Sequence, residues 1–184
     1  MASNIDPTQP ATGNASTAAV RGNFAAAKAE IEALQSKAPQ ILTQTDGDLH
    51  VFAVPIPGDD SIPQSNEGTE LFSQAITPRA AENRITVTAT VYLSPSVTSA
   101  CILALFKGNA ANAVAAMGAS VAADNNASIT ITYSELAGSL DARTYRLRVG
   151  QSAGGNLTVN GWGGARRLGG VAATCITVRE DGAE

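Results

Sequence analysis

The sequence predicts a mainly β protein: an N-terminal arm and one short coiled-coil helix, then an antiparallel jelly-roll β-sandwich. Three observations predict it. Apolar side chains recur with a 3.5-residue period from Thr17 to Ala38. Beyond Pro39 the period becomes 2, in eight to ten short runs separated by turn residues. Ahead of Ser16 there is almost no large apolar side chain. The expected divisions are an arm over 1–16, a helix over 17–38 and a sandwich over 39–184.

In the arm only Met1 and Ile5 are large and apolar, and Pro7, Pro10 and Gly13 interrupt it. It cannot bury enough surface to fold alone, so it reads as extended chain. A disordered tail and a peptide ordered on a partner surface both fit this composition. The next segment is rich in strong helix formers and ends at Pro39, with Ser16 or Thr17 available as N-cap. Thr17, Val20, Phe24, Ala27, Ile31, Leu34 and Ala38 form an a/d seam, and Lys28 and Glu32 pair on the opposite face. A seam this narrow on an isolated helix favours self-association over packing on its own domain. Ile31 and Leu34 suit a dimer, but Phe24 and Ala27 disturb that rule, so the helix leaves the oligomer number open.

The clearest strand is Ile85–Leu93, with Ile85, Val87, Ala89, Val91 and Leu93 facing one way and threonines the other. Ser128–Tyr133 and Thr144–Val149 repeat the alternation. Weaker strands are expected at Ile41–Thr45, Leu49–Val54, Glu70–Thr77, Leu157–Asn160 and Ala173–Arg179. Ala100–Phe106 is apolar on both faces, as for a strand covered once by a core and once by a subunit contact. The Ala-rich stretch 109–123 reads as an irregular strand, because Gly118 opposes helix. Asp46-Gly47 is expected to close a hairpin, and Pro55, Pro57, Gly58 and Pro63 mark a long loop. Short antiparallel strands at this spacing make a sandwich or jelly roll.

Composition removes several function classes. The chain has 184 residues, with 44% hydrophobic but 34 of them alanine, and only 15% charged. A net charge of −4 argues against a nucleic-acid partner. No apolar run is long enough to span a membrane, and the N-terminus lacks the pattern of a signal peptide. Two cysteines do not make a disulfide scaffold, which points to assembly in a reducing cytosol.

Catalytic and metal signals are weak throughout. The single histidine, His50, sits in an alternating strand, where it faces solvent or bonds locally. Asp46 with Asp48 and Asp59 with Asp60 lack the further ligands of a calcium loop. The run 161–170 is glycine-rich but has no Lys-Ser/Thr pair and opens no helix, so it is not a P-loop. Glu67, Glu70 and Glu135 have nothing to single them out as glycosidase carboxylates. Cys101 and Cys175 are expected as free thiols. Trp162 could stack on a sugar, cover a strand edge or fill a subunit contact. No enzyme and no cofactor is expected.

The run NIDPTQPATGNASTAAVRGNFAAAKAEIEALQ resembles a leader on virion proteins of tailed bacteriophages, an arm of the type I-D-P-T-x-P followed by R-x-N-F-x-A-x-K-x-E-I-E-A-L. GTELFSQAITPRAAENRITVTATV, TYRLRVG and the closing RRLGGVAATCITVRE resemble the tumour-necrosis-factor-like jelly-roll modules that end many phage fibres. The resemblance implies a homotrimeric, non-enzymatic structural component on the outer capsid surface, assembled in the bacterial cytoplasm. Its arm, through Ile5, Asp6, Pro7 and Pro10, would bind the major capsid protein or another virion protein. Long tail fibres carry a shaft that this chain lacks, so a capsid decoration (cement) protein or short head fibre that stabilises the shell fits its length better. The alternative is a tail-fibre or receptor-binding protein that recognises a host glycan or protein through distal loops, with Trp162 as a possible contact.

Overall fold

The computed structural model describes Asn4, Ile5 and residues 17–183. Helix α1 spans Thr17–Lys37. Its last turn closes with the Ala38 amide donating to the Leu34 carbonyl at 3.0 Å, and Pro39 prevents continuation. Ser16, one of the two expected caps, lies outside the described residues.

Twelve strands follow: β1 (Gln40–Asp46), β2 (His50–Phe52), β3 (Thr69–Ile76), β4 (Arg84–Pro95), β5 (Ser99–Lys107), β6 (Ala115–Val121), β7 (Ala127–Leu136), β8 (Arg143–Gln151), β9 (Leu157–Val159), β10 (Gly161–Trp162), β11 (Ala165–Arg166) and β12 (Thr174–Asp181). One sheet runs β1-β12-β4-β9-β2 with β7 on the other edge of β4; the second runs β3-β8-β5-β6. β10 and β11 form a separate two-stranded ribbon. The chain crosses between the sheets at β3, β4, β5, β7, β8 and β9, the interleaving of a jelly roll.

The alternating pattern sets the core. Ile85, Val87, Ala89, Val91 and Leu93 of β4 are at most 1% exposed and face Leu103 and Leu105 of β5 and Leu147 and Val149 of β8 across one apolar cluster. The Ala-rich stretch 109–123 contains a strand, as expected, over Ala115–Val121; this is β6, at the edge of the second sheet. It pairs antiparallel with β5 from Ser99↔Val121 to Leu105↔Ala115.

Two expectations are corrected. β1 and β2 do not form a hairpin: β1 pairs with β12, and β2 with β9. Asp46 Oδ1 accepts from the Asp48 amide at 2.8 Å, and Asp46 Oδ2 lies 2.7 Å from His50 Nε2. That side-chain-closed bend sends the chain onward along the same sheet edge rather than back. The second correction concerns β5. Its two faces are both apolar, but the outer one is covered by the chain itself. Ile56, on the loop between β2 and β3, is fully buried and packs with Ile102, Ala104 and Phe106. The loop can come this close because β8 carries Gly150, where a Cβ would lie 2.7 Å from Ile56 Cγ1 and 2.9 Å from the Ile56 amide. A buried outer face of β5 therefore requires no neighbouring subunit.

Candidate functional site

Three features stand out beyond the core: an uncovered helix, the seat that holds its base, and a glycine-rich loop at the far end of the sandwich.

No residue of α1 is buried within the chain. Along the expected seam, Thr17, Phe24, Ile31 and Leu34 are exposed, while Val20, Ala27 and Ala38 are half-buried. Phe24 is 72% exposed, Ile31 53% and Leu34 65%, so this apolar edge has no cover from the sandwich. Ile5 lies beside the upper seam, lining one shallow crevice with Val20, Asn23, Phe24 and Ala27. The Asn4 amide donates to Glu30 Oε1. The other proposed attachment residues, Asp6, Pro7 and Pro10, lie outside the described residues.

The base of the helix is fixed by buried polar groups. Asn83 is 1% exposed and Glu180 fully buried. Asn83 Nδ2 donates to the Ser36 carbonyl at 2.9 Å and to Glu180 Oε1 at 2.8 Å, and the Arg79 amide donates to the same carboxylate oxygen at 2.7 Å. Arg79 Nη1 also reaches the Ala38 carbonyl at 3.0 Å. Helix-end carbonyls have no intrahelical donors, and here side chains of the sandwich supply them.

Asn83 immediately precedes β4, and Tyr92 is near that strand's far end. At roughly 3.3 Å per residue the two are about 30 Å apart. The helix therefore leaves one pole of the sandwich while Tyr92 and Trp162 mark the other. Trp162 is half-buried on the β10–β11 ribbon, edge-on to Tyr92 with ring centroids 6.4 Å apart, and the Arg167 guanidinium lies 5.1 Å from its ring centroid. In this loop Asn160, Gly163, Gly164, Leu168, Gly169 and Gly170 all have positive φ. Leu168, at φ 51°, is 61% exposed, and Val171 is 84% exposed. A leucine held in the left-handed region costs free energy. No burial of its side chain offsets that cost.

Nothing in the residue pattern marks the polar cluster that the fold builds around Glu135. Tyr145 donates to its Oε1 at 2.5 Å, and Tyr133 and Lys107 donate to Oε2 at 3.1 and 2.7 Å. Arg143 Nη1 stands 3.6 Å from Oε1. Burial opposes ionisation of Glu135, but hydrogen bonds from Lys107, Tyr145 and Tyr133, together with the lysine charge, outweigh it and hold the carboxyl below its ordinary value. Burial and the adjacent carboxylate push both phenols up. These residues come from three strands and meet only because the ends of β5 and β7 and the start of β8 lie at the same pole.

The remaining candidates are engaged locally. Glu67 accepts from the Gln64 amide at 2.8 Å, and Glu70 lies 3.6 and 3.7 Å from Arg146 and Arg148. Asp59 accepts from the amide and hydroxyl of Ser61. His50 stacks on Phe52. Cys101 and Cys175 are free thiols, and burial pushes the Cys101 thiol up to about 11. Among the described residues no group of three His, Cys, Asp or Glu is placed to hold a metal ion, and no helix is long and apolar enough to cross a membrane.

No family model matches the chain, and no curated protein matches it. Solved structures similar to it include a chain of infectious bursal disease virus, Gx strain, with TM-score 0.38 and 16% identity over 79% of this chain and 37% of that one. The sugar-binding EclA C-terminal domain has TM-score 0.37 and 16% identity, covering 64% of this chain and 77% of that one. The enzymatically active domain of bacteriophage CBA120 tailspike protein 4 has TM-score 0.25 and 12% identity, covering 67% and 18%. This chain thus spans little more than a third of the bursal virus chain. At these values the likeness carries no function across. Over the described residues the protein is a mainly β, antiparallel sandwich with one α-helix standing at its end.

Proposed function

We propose that this protein is a structural component of a tailed-bacteriophage virion: a homotrimeric capsid decoration protein with a tumour-necrosis-factor-like jelly roll, bound to the shell through its N-terminal region. The carrying observation is the uncovered seam of α1, in which Phe24, Ile31 and Leu34 face solvent on a helix whose base is rigidly seated. Large apolar side chains lined up on one helix edge call for a partner helix. Three helices meeting there would form a coiled coil. Their arms would then leave together, and three weak contacts would act as one multivalent anchor on the major capsid protein or another virion protein. A trimer that bridges capsid subunits binds only the assembled shell and so stabilises it by mass action. The phage leader resemblance of residues 4–35 supports the same assignment.

The test is DNA release against temperature for particles with and without the protein. Release at lower temperature without it is the expected result. Identical curves together with lost adsorption to host cells would reject decoration.

The pole opposite the helix favours a second reading, receptor recognition. Its observation is Leu168, held at positive φ and exposed beside Trp162 and Arg167. Conformational cost concentrated on an outward loop with no packing return is characteristic of a binding element.

A further inference from the structure

The outer face of the β1-β12-β4-β7 layer carries an ordered set of hydroxyls. The registers place Thr43, Thr177, Thr88 and Thr132 side by side in one row across four strands. Flanking rows pair Thr90 with Thr130 and Thr86 with Ser134. Hydroxyl oxygens are 3.0 Å apart in Thr43–Thr177, 2.9 Å in Thr90–Thr130 and 3.2 Å in Thr86–Ser134. Each such pair shares one hydrogen bond, which orients both groups and leaves one O–H donor and several lone pairs open to solvent. The repeat is about 4.8 Å across strands and roughly 6.7 Å along them.

Three further observations give this lattice a direction and a charge. At its outer end β4 presents Tyr92, against which Trp162 stands edge-on with Arg167 over its ring. Ser94, the next outward position on β4, is 1% exposed, and its Oγ has no hydrogen-bond partner. Charge gathers at the two ends and is net positive at each: no carboxylate points outward from β4 or β7; Arg84 stands at one end, within 3.3 Å of Ser134 Oγ and level with the Arg179–Asp181 ion pair of β12, and Arg166 and Arg167 stand at the other.

We propose that this face binds an extended acidic polysaccharide, one sugar ring stacking at Trp162 and Tyr92, its carboxylates meeting the terminal arginines, and its hydroxyls lying along the threonine rows. The chemistry follows from the parts. Aromatic rings take the apolar face of a sugar. Guanidinium groups take carboxylates with forked geometry. An uncharged hydroxyl lattice exchanges hydrogen bonds with a polyol at little desolvation cost, whereas it offers an apolar protein surface nothing. This proposal rests on the receptor-recognition reading and is independent of how the protein is anchored.

Trp162 is the only tryptophan in the chain, so its fluorescence reports on the site directly. The full-length purified protein would be titrated with oligosaccharides of polygalacturonate, hyaluronan and polysialic acid. Dextran serves as the neutral control and polyglutamate as the non-sugar polyanion. The expected result is a saturable change with at least one acidic glycan, and binding at least about tenfold weaker to both controls. Replacing the central hydroxyls without changing side-chain shape (Thr88→Val, Thr90→Val, Thr130→Val, Thr132→Val) should weaken glycan binding at least about tenfold, with circular dichroism unchanged because valine suits strands. Three results would each overturn the proposal: no saturable change with any of the three glycans, equal binding to polyglutamate, or full affinity in the folded valine variant. A trimer that decorates capsids but shows none of this binding would leave the virion assignment standing and remove only this site.

Discussion

Ile56→Ala separates two ways of covering the outer face of β5. The side chain is fully buried against Ile102, Ala104 and Phe106. Truncation removes three carbons, about 2.4 kcal/mol at roughly 0.8 kcal/mol per methylene. A partly relaxed cavity brings the total to about 3 kcal/mol, inside the range for buried Ile→Ala changes. For a domain of this size that is a fall in Tm of roughly 6–12 °C. The assay is thermal unfolding by circular dichroism at several protein concentrations, with sedimentation equilibrium on the same samples. The expected outcome is a lower Tm with unchanged oligomeric state, since the loop seals its own chain. Dissociation without loss of subunit stability would show that a neighbouring subunit covers this face. A loss under about 1 kcal/mol would show that the loop is not docked.

Three other perturbations probe the helix, the arm and the Glu135 cluster. Leu34→Asp should shift sedimentation equilibrium from about three chain masses towards one at micromolar concentration, because it places a charge in a desolvated seam; an unchanged assembly would move the contact to the sandwich. Deleting Met1–Ala15 should leave a folded body that no longer binds particles lacking the protein, measured by cosedimentation; undiminished binding would place attachment in α1 or the sandwich. The Glu135 carboxyl is held below its ordinary value of 4.5, so the unfolded chain binds its proton more readily than the folded one. Its contribution is therefore complete above that ordinary value and is lost as pH falls through the folded value. Urea unfolding from pH 6 to pH 3 should show a falling stability that is flatter in Glu135→Gln, and parallel slopes would refute the assignment.

Much of the sandwich was legible because most long strands, β5 excepted, have one face towards solvent, which writes a period of 2 into the sequence. β4 and β7 show it best: Ile85 to Leu93 alternate with Thr86 to Tyr92, and Ile129 and Ile131 with serine and threonine. What sequence could not supply was partner choice. Asp46-Gly47 carries the residues of a hairpin, yet the Asp46 side chain closes a bend, and pairing is decided by β12 and β9 more than a hundred residues away. β5 shows two apolar faces but not what covers them; Ile56 lies in a proline-rich loop whose burial depends on Gly150. The β10–β11 ribbon is too short to have a period. The seam was readable as a pattern, and its exposure follows from the absence of any sandwich surface beside it. Glu135 gave no signal because its partners converge only in three dimensions.

The seating of the helix on Asn83 has a mechanical consequence. Asn83 is continuous with β4, the longest strand, which is laddered to β7 on one side and to β12 and β9 on the other. A pull between the loop around Trp162 and the helix therefore runs parallel to β4, and its cross-strand hydrogen bonds are loaded together in shear. Bonds loaded together share a force that would break them in turn if they were peeled. The same strand that joins the two poles makes the body stiff along the line between them, so a tug on the outer loops would reach the base of α1 before the sandwich yields.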